Sequence, residues 1–120
     1  MITLYGIKNC DTVKKARTWL ADQGIEFRFH DFKSEGIDET TLKSWVAALG
    51  WETVLNTRGT TFRGLPDSDK ADLNETKAIA LMRQHTSLIK RPVYCDGKTV
   101  NVGFSAERYA ELTDRQGATT

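Results

Sequence analysis

Cys10 is the residue whose type and setting point most directly to chemistry. It stands in Ile7-Lys8-Asn9-Cys10-Asp11-Thr12-Val13, where a run of strand formers from Ile2 to Ile7 gives way to helical spacing at Val13, Ala16 and Leu20. A thiol attacks as its thiolate, and a cysteine at a helix N-terminus is aided by the positive end of the helix dipole and by unpaired backbone amides. Lys8 and Lys14 add positive charge close in sequence, while Asp11 opposes them. The other reading of Cys10 is a small buried hydrophobe. The strand, loop and helix setting favours the reactive thiol.

A dithiol redox motif needs a second cysteine three positions away, yet Ile7 and Val13 occupy those places. A mixed disulfide on Cys10 must then be resolved by an external thiol, and glutathione is the abundant cytoplasmic one. Cys95 is the internal competitor. It lies three residues beyond Pro92, so if Pro92 faces Cys10 the offset is roughly 10 Å at strand rise, too far for a disulfide. Cys95 therefore reads as a packed hairpin residue. His30 and His85 lack the close paired spacing with cysteine of a zinc site and read as structural, so no metal centre and no bound cofactor are expected.

The elements that must position Cys10 follow from pattern and caps. The first helix is predicted from Asp11 to Gln23, with Asp11 and Thr12 suited to its first turn and Gly24 to a left-handed cap. Residues Ile25 to Phe32 alternate as a half-buried strand. Leu42, Trp45, Val46 and Leu49 share a helical face preceded by the cap Asp38 and closed by Gly50. Trp51 to Leu55 is a further turn, Asn56 to Asp69 reads as loop, and Asn74 caps a helix ending at Gln84. Asp96-Gly97 between Val93-Tyr94-Cys95 and Lys98-Thr99-Val100 predicts a tight hairpin. Ser105 caps a last helix through Tyr109 to about Leu112, with a frayed polar tail after Thr113. Trp19, Trp45 and Trp51 are core candidates. The order, βαβ, a helical insertion at about 35–88, then ββα, is an α/β chain of thioredoxin-like fold in one domain over 1–120.

Composition limits what such a chain can do. With 17 Lys and Arg against 16 Asp and Glu, the net charge of +1 offers no field to gather nucleic acid or anionic lipid. The hydrophobic fraction is 39%, with no stretch near the ~20 apolar residues of a membrane span and no signal-peptide pattern after Met1. A cytoplasmic monomer is expected, without nucleic-acid or membrane partners.

Taken together, Tyr5-Gly6-Ile7-Lys8-Asn9-Cys10-Asp11-Thr12, His30-Asp31-Phe32-Lys33, Arg91-Pro92-Val93 and Val102-Gly103-Phe104 resemble the ArsC superfamily, closest to its YffB branch. The resemblance covers nearly the whole chain. It implies a thioredoxin fold with a helical insertion, a cis peptide at Pro92 and glutathione-linked thiol reductase activity. In the arsenate reductases of this family three arginines attend the nucleophile. Cys10 matches the nucleophile, Arg58 in Leu55-Asn56-Thr57-Arg58 the first arginine and Arg91 the second, while Gly103 occupies the third place. One cation fewer disfavours a tetrahedral dianion.

The resulting expectation is a thiol reductase with catalytic Cys10 and glutathione as co-substrate. Arg91, Arg58 and Lys8 would hold its carboxylates, and backbone beside Pro92 its peptide. Arg63 is a weaker anion candidate, and Asn9, Asp11, Thr12 and Gly103 complete the neighbourhood. Two other functions stay open: glutathione-coupled arsenate reduction, and a non-catalytic role like that of Spx, a regulator that contacts RNA polymerase and shares this fold.

Overall fold

The computed structural model describes the backbone of residues 1–117 and the side chains of residues 1–114. The chain divides into two compact units, one made of residues 1–31 and the segment from Arg91 onward, the other of Phe32–Lys90.

The first unit has the thioredoxin arrangement that the element order implies. Its strands are β1 (Ile2–Gly6), β2 (Phe27–Asp31), β3 (Val93–Cys95) and β4 (Val100–Val102), in the order β2-β1-β3-β4. β1 pairs parallel with β2 and antiparallel with β3, and β3 pairs antiparallel with β4. Two helices, α1 (Asp11–Asp22) and α8 (Ala106–Gly117), complete it. Ile2, Leu4 and Gly6 alternate to the buried side of β1. Ile2 and Leu4 join Ala16 and Leu20 of α1, Tyr94 of β3, and Tyr109 and Leu112 of α8 in one apolar cluster. Burial of that cluster ties both helices to the sheet.

α1 stops as its glycine predicts. Gly24 has φ of 69°, its N–H donates to the Ala21 carbonyl, and the Ile25 N–H donates to that of Leu20. This is a Schellman ending. It also corrects the expected start of the next strand, because an Ile25 amide used to close a helix delays β2 to Phe27.

The second unit is helical, with α2 (Phe32–Glu35), α3 (Glu39–Leu49), α4 (Trp51–Val54), α5 (Thr60–Arg63), α6 (Asp67–Lys70), α7 (Glu75–Gln84) and a 3-10 turn at Thr86–Leu88. Asp38 caps α3 by accepting from the Thr41 N–H at 2.6 Å. Asn74 caps α7 by accepting from that of Lys77 at 2.9 Å. The predicted loop over 56–69 holds two single-turn helices, α5 and the start of α6. Each is one turn, too short for apolar periodicity to register.

Two further expectations shift. The second hairpin strand is Val100–Val102, not Lys98–Val100. The Asp96 carboxylate accepts from the N–H groups of Lys98 and Thr99 at 2.9 and 2.7 Å, so Asp96 leads the turn, and Gly97, with φ of 91°, stands first within it. α8 runs on past Leu112 to Gly117; an ion pair joins Arg108 to Glu111 at 3.1 Å, and the Thr113 hydroxyl donates to the Tyr109 carbonyl. The frayed tail falls partly on residues 118–120, which lie outside the described residues.

Candidate functional site around Cys10

Sheet register assembles the site at one end of the first unit. β1 ends at Gly6 and hands the chain to the turn Lys8-Asn9, then to Cys10, the residue capping α1. Tyr5 of β1 pairs with Val93, and Val93 with Val102. Carried one residue further, that antiparallel register sets Pro92 beside Gly6 and Gly103 beside Pro92. The Gly103 N–H donates to the Pro92 carbonyl at 2.8 Å, in keeping with this placement. The turn before Cys10, the Arg91–Pro92 peptide and Gly103 thus gather at the same sheet end. The peptide between Arg91 and Pro92 is cis, as the family resemblance implies.

Cys10 is half-buried and not in a disulfide. Its backbone is extended, with φ of −105° and ψ of 123°, and its side chain makes no capping hydrogen bond. Its carbonyl accepts the first helical bond, from the Lys14 N–H at 2.9 Å. An extended capping residue directs its side chain at the first-turn amides, and for a thiolate these are ready donors. Lys8, Asn9, Asp11 and Thr12 are exposed around it. Asp11 is the first residue of α1, as predicted, and places an acidic side chain in its first turn.

Gly6 lets this geometry close. A Cβ there would stand 2.7 Å from Cγ2 of Val13, a fully buried residue in the first turn of α1. Only a bare Cα lets α1 start so near the strand that feeds it.

Arg91 is half-buried, with its Nε shielded from solvent, and Pro92 is buried. Gly103 has φ of 85°, and a Cβ there would meet nothing within 4 Å. Arg58 belongs to the other unit, where it is exposed; its N–H donates to the Asn56 side chain at 3.2 Å and its carbonyl accepts from Arg63 at 2.7 Å. The two arginines proposed from sequence therefore fall in different units. Cys95 pairs with Thr3, two strand positions from Val93 and towards the start of β1, whereas Cys10 follows its end. His30 packs against Tyr5 with ring centroids 4.7 Å apart and planes tilted by 41°, and Trp45 is buried against Phe32.

Tyr109 supports this end of the sheet, and sequence reasoning gave it only as a helix residue. Its hydroxyl donates to the Gly103 carbonyl at 3.2 Å, and its ring meets Phe104, Tyr94 and Trp19 edge-on. Burial, then the neighbouring Tyr94, pushes the Tyr109 hydroxyl well above the ordinary phenol range, which keeps it a donor. The available signal was a tyrosine on an apolar helix face, whose hydroxyl needs a partner.

Elsewhere, a groove of about 760 Å³ between α3 and α7, floored by Val46 and Ile79, has no cysteine or histidine in its lining. Among the described residues no three His, Cys, Asp or Glu side chains are grouped to hold a metal, and no helix is long and apolar enough to cross a membrane.

The model of the ArsC family matches residues 5–112. The chain belongs to the ArsC family. Within it, the solved structure of a YffB protein is 53% identical, covers 92% of this chain and 97% of its own, and superposes with a TM-score of 0.90. An uncharacterized protein of Haemophilus influenzae is 44% identical over 110 residues, 91% of this chain and 96% of that one. The global transcriptional regulator Spx of Streptococcus pyogenes is 28% identical over 117 residues, 96% of this chain and 87% of its own. The similar proteins thus include an arsenate reductase related protein of Brucella melitensis, 46% identical, as well as proteins named as regulators.

Proposed function

We propose that this ArsC-family protein is a monothiol, glutathione-dependent thiol-disulfide oxidoreductase with Cys10 as its nucleophile, acting in the cytoplasm as a monomer. The observation that carries the reading is Cys10 at the uncapped start of α1, half-buried, with neither Ile7 nor Val13 able to resolve a disulfide and Cys95 towards the other end of β1. In the first step the Cys10 thiolate attacks the glutathione sulfur of a mixed disulfide. The old S–S bond breaks, a Cys10–glutathione disulfide forms, and the substrate leaves as a thiolate that takes up a proton. A second glutathione thiolate then attacks that disulfide, releasing oxidised glutathione and restoring Cys10. The leaving substrate thiolate takes the electron pair of the broken S–S bond, and the incoming glutathione thiolate supplies the pair for the new one, so one glutathione is oxidised for each substrate thiol released. Arg91 and Lys8 supply charge for glutathione carboxylates, and backbone next to Pro92 pairs with its peptide.

Arsenate reduction is the second reading, supported by the similarity to a protein described as related to an arsenate reductase. Gly103 weakens it, since it brings no charge to the sheet end where the family resemblance sets a third arginine. The test is turnover of a glutathione mixed disulfide, with mass mapping after exposure to oxidised glutathione. The native protein is expected to carry one adduct, on Cys10, and Cys10→Ser to fall to background turnover while Cys95→Ser stays near native. Full turnover by Cys10→Ser would end the assignment, and turnover with arsenate but not with the mixed disulfide would favour the second reading.

A further inference from the structure

We propose that Tyr109 is a positioning residue for the cis-proline segment opposite the thiol, acting through Gly103; its consequence for glutathione rests on the function proposed above. The relay has two hydrogen bonds. The Tyr109 hydroxyl donates to the Gly103 carbonyl at 3.2 Å, and the Gly103 N–H donates to the Pro92 carbonyl at 2.8 Å. Gly103 needs such an anchor. It sits just past β4, has φ of 85° and has no side chain with which to pack, so its hydrogen bonds are what fix its backbone.

The anchoring end is rigid. Tyr109 is fully buried on α8, wedged edge-on against Phe104, Tyr94 and Trp19, at centroid distances of 4.8, 5.3 and 6.0 Å. A ring fixed on three sides aims its hydroxyl at one point. Helix α8 starts two residues after Phe104, with Ser105 capping it by accepting from the Arg108 N–H at 3.1 Å. The cap sets where Tyr109 falls, Tyr109 sets Gly103, and Gly103 sets the carbonyl of Pro92. A substrate backbone that pairs beside Pro92 would meet an edge ordered from the far side of the core.

The experiment is amide hydrogen exchange on the full chain, comparing the native protein with Tyr109→Phe, which keeps the ring and deletes the hydroxyl. A lost hydrogen bond of ordinary worth predicts that the Gly103 amide exchanges roughly five- to tenfold faster, while the β1 amides of Leu4 and Tyr5 change less than about twofold. In turnover, the KM for glutathione should rise by a similar factor with kcat nearly unchanged, and alkylation of Cys10 by a small reagent should keep its rate. An unchanged Gly103 amide overturns the proposal, and so does equal acceleration of every amide, which is the mark of a merely structural tyrosine. If the native protein fails to turn over glutathione substrates, the proposed function falls while the Gly103 amide still decides the relay.

Discussion

Gly6 and Cys10 are coupled through Val13. Val13 is a stiff β-branched residue, fully buried, and a Gly6 Cβ would come within 2.7 Å of it. Gly6→Ala must therefore push α1 away from β1 or distort a packed rotamer, and overpacking of this kind costs about 1–3 kcal/mol. A lowered urea midpoint with an unchanged slope is the expected result. Slower glutathionylation of Cys10 should accompany it, because the displaced turn carries the thiol. An Ala variant as stable as the native chain would mean that strand and helix have slack the distances deny. The place of Cys10 at the start of α1 was legible from sequence, since strand formers give way there to a helical period. The supports of Gly6 and Tyr109 were not. One depends on a spacing between two elements, the other on a hydroxyl reaching a carbonyl six residues back.

Elements read best where a cap or a glycine marks their end. Asp38, Asn74 and Ser105 each accept the amide three residues on, as their types predict. The misreadings have local causes too. Ile25 is consumed by the Schellman bond, Asp96 takes the first turn position through its carboxylate, and the polar sequence after Leu112 carries no apolar period to show that α8 continues. Single-turn helices such as α5 and α6 leave no periodic signal. The caps carry a direct prediction. Asn74→Ala should lower stability by about 0.5–2 kcal/mol, because the Lys77 amide loses its acceptor, while Asn74→Asp should stay within a few tenths. Thermal unfolding followed by circular dichroism would measure both. Equal losses for Ala and Asp would show that something other than the cap oxygen at Asn74 matters.

Over the whole molecule the charges nearly cancel, at 17 positive to 16 negative, so no long-range field dominates its response to pH. At alkaline pH that response falls instead to two buried phenols. Tyr94 and Tyr109 are both fully buried with rings 5.3 Å apart. Burial first, then Asp96 for Tyr94 and Tyr94 for Tyr109, raises both above the ordinary value of 10.0. The sign follows from proton counting. Above pH 10.0 the unfolded chain releases these protons while the native state keeps them, so the native state binds more and stability falls as pH rises. Below that value the contribution is fully present. Each tyrosine can steepen the loss by at most about 1.4 kcal/mol per pH unit. Denaturation midpoints should therefore hold level up to about pH 9 and drop by about pH 11, with tyrosinate absorbance appearing only as the chain unfolds. Tyr109→Phe should start from lower stability, having lost the bond to Gly103, yet decline less steeply, because one of the retained protons is gone. A slope unchanged in that variant would show that Tyr109 does not carry the alkaline loss. A flatter one would tie it to the aromatic cluster that also anchors the cis-proline segment, so that raising the pH would loosen core and site together.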